Sequence, residues 1–317
     1  MPLIRQKRKS LGKNRLQFLV PELMLPNQAL TFNVFPCKSV QVSVRTPFLI
    51  ALLFQLLIAF CSNNAGIMKN SITLSLTLII AVACASANIF AQDAAAPEKG
   101  KQVEMSFKTS DGAEVGYLLY LPSKYDKASE KKAPLMMFLH GRGESNGPLS
   151  LVAKWGPPRM AAAGSELPYV MVSPQCPKED YWNSEVQLNR LTELLDHVTA
   201  EYAVNEKKMF LTGLSMGGYG SWALAAKHPT KFAAVAPICG GGKPEFAEKL
   251  KDIPIWTWHG DQDTAVPFKQ SVEMVDEIKK AGGTKIKFTS LEGIGHNCWS
   301  SAYATPQLFQ WMMKQSK

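Results

Sequence analysis

The sequence predicts an α/β fold: a mostly parallel central sheet, opened by an antiparallel hairpin, with helices on both faces. Three observations carry this. From Gln102 onward, short apolar runs alternate with stretches of helical periodicity, the pattern of strands joined by crossover helices. Residues 103–107 and 115–121 flank the turn Ser110-Asp111-Gly112, a hairpin signal. Runs such as LMMFLH after Pro134 are apolar throughout, as in strands covered on both faces.

Each element has a local reason. After the hairpin come strands at 135–139 and 169–172. A helix follows over 185–202, because Leu191, Leu194, Leu195, Val198 and Tyr202 fall on one face at helical spacing. A short strand at 208–211 leads into GLSMGG, and a helix over 217–227 stops at His228-Pro229. Strands at 232–238 and 255–258 follow, then a helix over 268–281 ended by Gly282-Gly283, a strand at 285–291 and a helix over 306–314. No long insertion separates the strand ending at Ile238 from the one starting at Ile255, so little or no cap should cover the sheet edge.

The chain has 317 residues and a formal net charge of +9, but residues 1–92 carry +8 of it. The rest is nearly neutral, which argues against a nucleic-acid partner. Residues 68–92 have the layout of a secretory signal peptide: Met68-Lys69, an apolar run from Ile72 to Ala83, then Ala85-Ser86-Ala87. That run is too short for a membrane span, so a secreted or periplasmic protein without a stable membrane partner is expected; lipid anchoring through Cys84 has a poor motif. A signal should open a protein, so 1–67 read as an upstream gene-model extension without a packed fold. Residues 93–101 read as a linker and 102–317 as one catalytic domain. Three cysteines lie past the signal; export permits a disulfide, with Cys239 and Cys298 the expected pair and Cys176 free. The sequence sets no oligomeric state.

Ser215 sits between Gly213 and Gly217 where a strand gives way to a helix. This is the context of a strained turn that presents a nucleophile at the carboxyl edge of a sheet. A serine hydroxyl needs a base. Of the five histidines, His197 and His228 fall on helices, while His140 and His259 each end a strand and should hold loops. His296, in GIGHNCW after the last strand, fits the chain order serine, acid, histidine. The acid should come from HGDQDTAVP, with Asp263 assigned to the histidine and Asp261 to the loop. Two N–H donors for an oxyanion should come from Met216, directly after the serine, and from the loop HGRGESNG, with Arg142 preferred and Gly141 the alternate. No ligand spacing suggests zinc, and no cofactor is expected.

FLHGRGE, PQCP with Trp182 shortly after, GLSMGG, PICGGG, HGDQDTAVP and GIGHNCW together resemble the α/β-hydrolase superfamily. Within it, the chain is similar to the secreted bacterial phospholipase/carboxylesterase-like group, also called predicted peptidases or polyhydroxybutyrate-depolymerase-like esterases, over about 102–316. The resemblance implies Ser215, Asp263 and His296 as a triad and an ester-hydrolysing activity. Trp155, Trp182 and Trp299 lie near the expected carboxyl-edge loops, where they could stack an aromatic acyl group or a sugar. A small-molecule or polysaccharide ester, acetylated or feruloylated, is the expected substrate. A serine peptidase of the same fold and a non-catalytic secreted binding domain are the rivals.

Overall fold

The computed structural model describes residues 97–317 and, by backbone alone, two short strands, β1 (Leu30–Phe32) and β2 (Val40–Val42), which pair antiparallel. The chain separates into two compact units at Asp93–Ala94. The signal-peptide layout at 68–92 lies outside the described residues, as does most of 1–67.

The second unit is built on one eight-stranded sheet. Its strands are β3 (Gln102–Lys108), β4 (Glu114–Tyr120), β5 (Ala133–Leu139), β6 (Val170–Pro174), β7 (Val204–Leu214), β8 (Ala234–Ile238), β9 (Ile255–Gly260) and β10 (Ile286–Leu291). Across the sheet the order is β10-β9-β8-β7-β5-β6-β4-β3. Strands β5 to β10 pair in parallel, whereas β4 runs antiparallel to both β3 and β6. The hairpin thus extends one end of a parallel sheet.

Helices cover both faces. On one lie α2 (Glu185–Glu201), α3 (Met216–Lys227) and α5 (Lys269–Lys280), which bury Leu191, Leu195, Trp222, Leu224 and Met274 against Met209 and Leu211 of β7. On the other lie α1 (Gly156–Ala162), α6 (Trp299–Ala304) and α7 (Pro306–Lys314), packed on Phe210 and Leu214 of the same strand. Alternate residues of β7 therefore feed opposite cores, which is why the segment Met209-Phe210-Leu211 is apolar on both faces. Ser184 caps α2 by accepting the N–H of Gln187 at 3.2 Å. The short helix α4 (Ala247–Leu250) fills the link between β8 and β9, and no larger insertion stands there.

The structure adds elements the periodicity does not predict: α1, α4, α6 and short 3-10 segments at Arg142–Glu144, Leu149–Lys154 and His296–Cys298. None exceeds two helical turns, which is too short to carry a repeating apolar face. Strand β7 also begins earlier than expected, at Val204, because its first residues pair on through Ala133 of β5.

Candidate active site

The carboxyl ends of β5, β7, β8, β9 and β10 deliver every element of the site to one edge of the sheet, where open α/β sheets bind ligands. Strand β7 ends at Leu214, and Ser215 follows with φ +53° and ψ −116°, outside the regions open to most L residues. The flanking glycines make the turn possible. A Cβ on Gly217 would lie 1.9 Å from the carbonyl oxygen of Leu139, and one on Gly213 would lie 2.4 Å from that of Gly217. Both contacts are with backbone, so no side-chain adjustment relieves them.

Three residues join in a chain of hydrogen bonds. The Ser215 Oγ is 2.8 Å from His296 Nε2, and His296 Nδ1 is 2.7 Å from Asp263 Oδ2. Asp263 is fully withdrawn from solvent at its side chain, and His296 is one-quarter exposed. Burial alone would raise the Asp263 pKa, but hydrogen bonds from His296, Val266 and Ala265 outweigh it and hold the pKa below the usual carboxylate value. Asp263 therefore stays ionised and accepts Nδ1–H, which leaves Nε2 as the base facing serine. Asp261 stands elsewhere. Its Oδ1 accepts the N–H of Gly293 at 2.8 Å, bracing the turn that leads into His296.

A fourth group, His259, completes this arrangement. Its Nε2 is 3.0 Å from Asp263 Oδ2 and 3.1 Å from the carbonyl of Val266; its Nδ1 is 2.7 Å from Ser271 Oγ. Nε2 faces only acceptors, so it carries the proton, while Nδ1 lies against the Ser271 hydroxyl, which also stands 3.0 Å from the Gly240 carbonyl. Burial lowers the His259 pKa, keeping the ring neutral. Asp263 is thus gripped on one oxygen by two imidazoles and on the other by two backbone N–H groups. The sequence places His259 in a loop-holding role without revealing that the loop held is the one bearing Asp263.

The donor side forms where β5 ends. Gly141, the alternate oxyanion donor, has its N–H engaged: it donates to the buried Glu144 carboxylate at 3.1 Å. This bond aligns the turn Arg142–Glu144, in which the Arg142 N–H precedes any internal partner. The Arg142 guanidinium is drawn away toward the carbonyls of Asp180 (2.6 Å) and Lys178 and lies over the Tyr181 ring. Met216, the first residue of α3, likewise has an N–H outside the helical ladder. Met216 follows Ser215 directly in the chain, and the turn that begins at Gly141 lies against the nucleophile, since a Cβ on Gly141 would fall 3.7 Å from the Ser215 Cβ.

His140 holds this loop from behind. Its Nδ1 donates to the carbonyl of Gly141 at 2.6 Å, its Nε2 accepts the N–H of Cys176 at 2.9 Å, and its own carbonyl accepts the Trp182 indole N–H at 3.1 Å. Trp182 corrects an expectation. It is only 1% exposed, packed edge-to-face on His140 and against Gly220, so it supports the donor loop and offers no face to substrate. Trp155 and Trp299 are different. Both are half-buried, their rings 5.9 Å apart, and Trp299 packs edge-on to His296 at 5.2 Å.

Burial depresses the His140 pKa to about 4. Protonation would also set a second donor against the Cys176 N–H. Between about pH 4 and the unfolded value near 6.5, the unfolded chain binds a proton that the folded chain refuses. Stability should therefore fall as pH drops through that window, by about 3 kcal/mol from this group. Urea unfolding at pH 7 and pH 4.5 should show the loss, and His140→Gln should lose less over the same interval.

The expected Cys239–Cys298 disulfide is absent: among the described residues Cys176, Cys239 and Cys298 are free and buried. Burial, with the neighbouring Cys298 thiol, drives the Cys239 pKa well above its usual value. The thiol is thus kept from the thiolate form that exchange requires. Cys239, Asp263 and His296 offer donor atoms within 4.8 Å of one another. They make a poor metal site, because Asp263 and His296 spend the facing atoms on each other and Cys239 is held protonated.

The model of the esterase family, described as "Putative esterase", matches residues 109–297. Among curated proteins, "Probable feruloyl esterase C" of Aspergillus terreus is 27% identical over 53% of this chain and 62% of its own length. "Bifunctional acetylxylan esterase/xylanase XynS20E" of Neocallimastix patriciarum is 26% identical over 52% of this chain and 24% of its own. The chain thus spans less than two thirds of these relatives. Among solved structures, a thermostable esterase superposes with a TM-score of 0.60 at 30% identity, covering 69% of this chain and 64% of that one. A ferulic acid esterase at 20% identity shares the fold, with a TM-score of 0.52 over 68% of this chain and 98% of that one. No helix among the described residues is long and apolar enough to cross a membrane. With the architecture, the site geometry and a family match from 109 to 297 in agreement, this chain has the α/β-hydrolase fold and belongs to the esterase family.

Proposed function

We propose that the protein hydrolyses carboxylic esters carried on a polysaccharide, through an acyl-enzyme on Ser215. The observation that carries this reading is the hydrogen-bonded chain Ser215–His296–Asp263; the N–H groups of Met216 and Arg142 are assigned as the oxyanion donors. Ser215 Oγ attacks the ester carbonyl as its proton passes to His296 Nε2. The oxygen that becomes negative accepts hydrogen bonds from Met216 and Arg142. Collapse expels the alcohol, which takes the proton from His296. Water then repeats the sequence on the acyl-enzyme and frees the acid.

The acyl group is where Trp155 and Trp299 enter. Trp299 stands edge-on to His296 and Trp155 packs on Trp299, a pair suited to an aromatic acid or the apolar face of a sugar. Relatives named as feruloyl and acetylxylan esterases support the same substrate class. Export fits such a substrate, and the layout of residues 68–92 supports it. N-terminal sequencing of protein from culture medium or periplasm should begin shortly after residue 87 or 92.

The test is a panel of p-nitrophenyl acetate, butyrate and octanoate, methyl ferulate and acetylated xylan. Methyl ferulate or acetylated xylan should be turned over with the highest kcat/KM. Preference for octanoate would overturn the polysaccharide reading in favour of a lipid or polyester.

A further inference from the structure

We infer that a groove along the helix that follows the nucleophile takes an anionic sugar chain, so that the preferred ester is borne on a uronate-bearing polysaccharide; this rests on the polysaccharide-ester reading above. The groove, of about 490 Å³, runs along α3 away from Ser215. Its upper end is Tyr219, one helical turn from the nucleophile, whose N–H donates to the Ser215 carbonyl at 3.1 Å. Gly241 walls the same end, following Cys239 at the carboxyl end of β8. A Cβ there would come 3.0 Å from the Tyr219 ring, so the wall is kept bare.

Floor and rim differ in character. Leu188, Ala223 and Phe246 make an apolar floor, suited to the C–H face of a pyranose. Lys227, Lys243 and Lys249 stand on the rim; Glu185 is the one acid in the groove lining, while Glu245 and Glu248 lie on the same stretch outside it. Lys227 is neutralised by pairing with Glu185. Lys243 and Lys249 are exposed and make no ion pair among the described residues. This is not the overspill of a basic surface, since residues 93–317 carry a net charge of only +1. Two unpaired ammonium groups over an apolar floor complement a sugar that carries a carboxylate. The groove would therefore hold the alcohol side of the ester, the polymer itself, while the Trp155–Trp299 side receives the acyl group.

The experiment compares kcat/KM for an acetylated neutral xylo-oligosaccharide and the same oligosaccharide bearing a glucuronate branch, in low and high salt. It uses the native enzyme and the double variant Lys243→Ala/Lys249→Ala, with p-nitrophenyl acetate as the small-ester control. The native enzyme should favour the acidic chain by about fivefold at low salt, the effect of two exposed ion pairs. High salt and the double variant should each abolish the preference, with p-nitrophenyl acetate unaffected by the substitutions. Equal kcat/KM for both chains in the native enzyme, or equal losses on both in the variant, would overturn the inference. If native enzyme fails even on p-nitrophenyl acetate, the esterase reading falls instead. Calorimetry with the unacetylated glucuronate oligosaccharide then decides the groove: binding lost in the double variant supports it, and no binding by native protein refutes it.

Discussion

Ser215→Ala will lower kcat on every ester by at least about a thousandfold, with little change in thermal stability. The substitution removes one oxygen and nothing that packs. The backbone at this position is already held at φ +53° by its neighbours, and alanine inherits that conformation unchanged. What disappears is the attacking atom and its 2.8 Å bond to His296. Residual turnover should remain above the uncatalysed rate, because the Met216 and Arg142 donors still stabilise an oxyanion formed by direct attack of water. Turnover of p-nitrophenyl acetate, measured beside a melting curve for each protein, separates lost chemistry from lost fold. A variant that keeps native kcat would remove Ser215 from the mechanism.

Asp263→Asn should cost about ten-thousandfold in kcat while leaving KM nearly unchanged. Asp263 Oδ2 receives His296 at 2.7 Å and His259 at 3.0 Å. An asparagine amide turned toward them would place a donor where two donors already converge. His296 can satisfy that arrangement only by moving its proton to Nε2, and the ring then faces serine without a free lone pair. If the amide oxygen stays in place instead, the charge that stabilises the imidazolium is still lost. His259→Gln tests the outer half of the arrangement. It removes one hydrogen bond to a charged acceptor, so kcat should fall about tenfold, through alignment of Asp263. The loss should appear in kcat and spare KM, whereas a general loosening of the edge would raise KM as well.

The parts legible in the sequence are those imposed by local chemistry. Gly213 and Gly217 are visible because a turn this tight allows no Cβ, and the distances to Leu139 and Gly217 carbonyls give the physical reason. The alternation of strands and helices is visible because buried strands and one-faced helices have different periods. The parts that escaped depend on what crosses between elements. Arg142 is preferred to Gly141 as a donor from the sequence, but the physical distinction, that Glu144 takes the Gly141 N–H, is visible only in the fold. A histidine at the end of β9 reads as a loop support, and only the fold reveals that its partner is Asp263. Trp182 lies close in sequence to the carboxyl-edge loops, but its ring turns inward under His140. Tryptophan's size makes such burial common, and sequence position alone does not give the direction of a ring.

The central claim is that Ser215 becomes acylated, and a covalent probe tests it most directly. The protein should be treated with a fluorophosphonate, digested and mapped by mass spectrometry. The account predicts one adduct per chain, on the peptide containing Ser215, with labelling that tracks the loss of p-nitrophenyl acetate hydrolysis. An unlabelled Ser215 in protein that still turns over ester would contradict it.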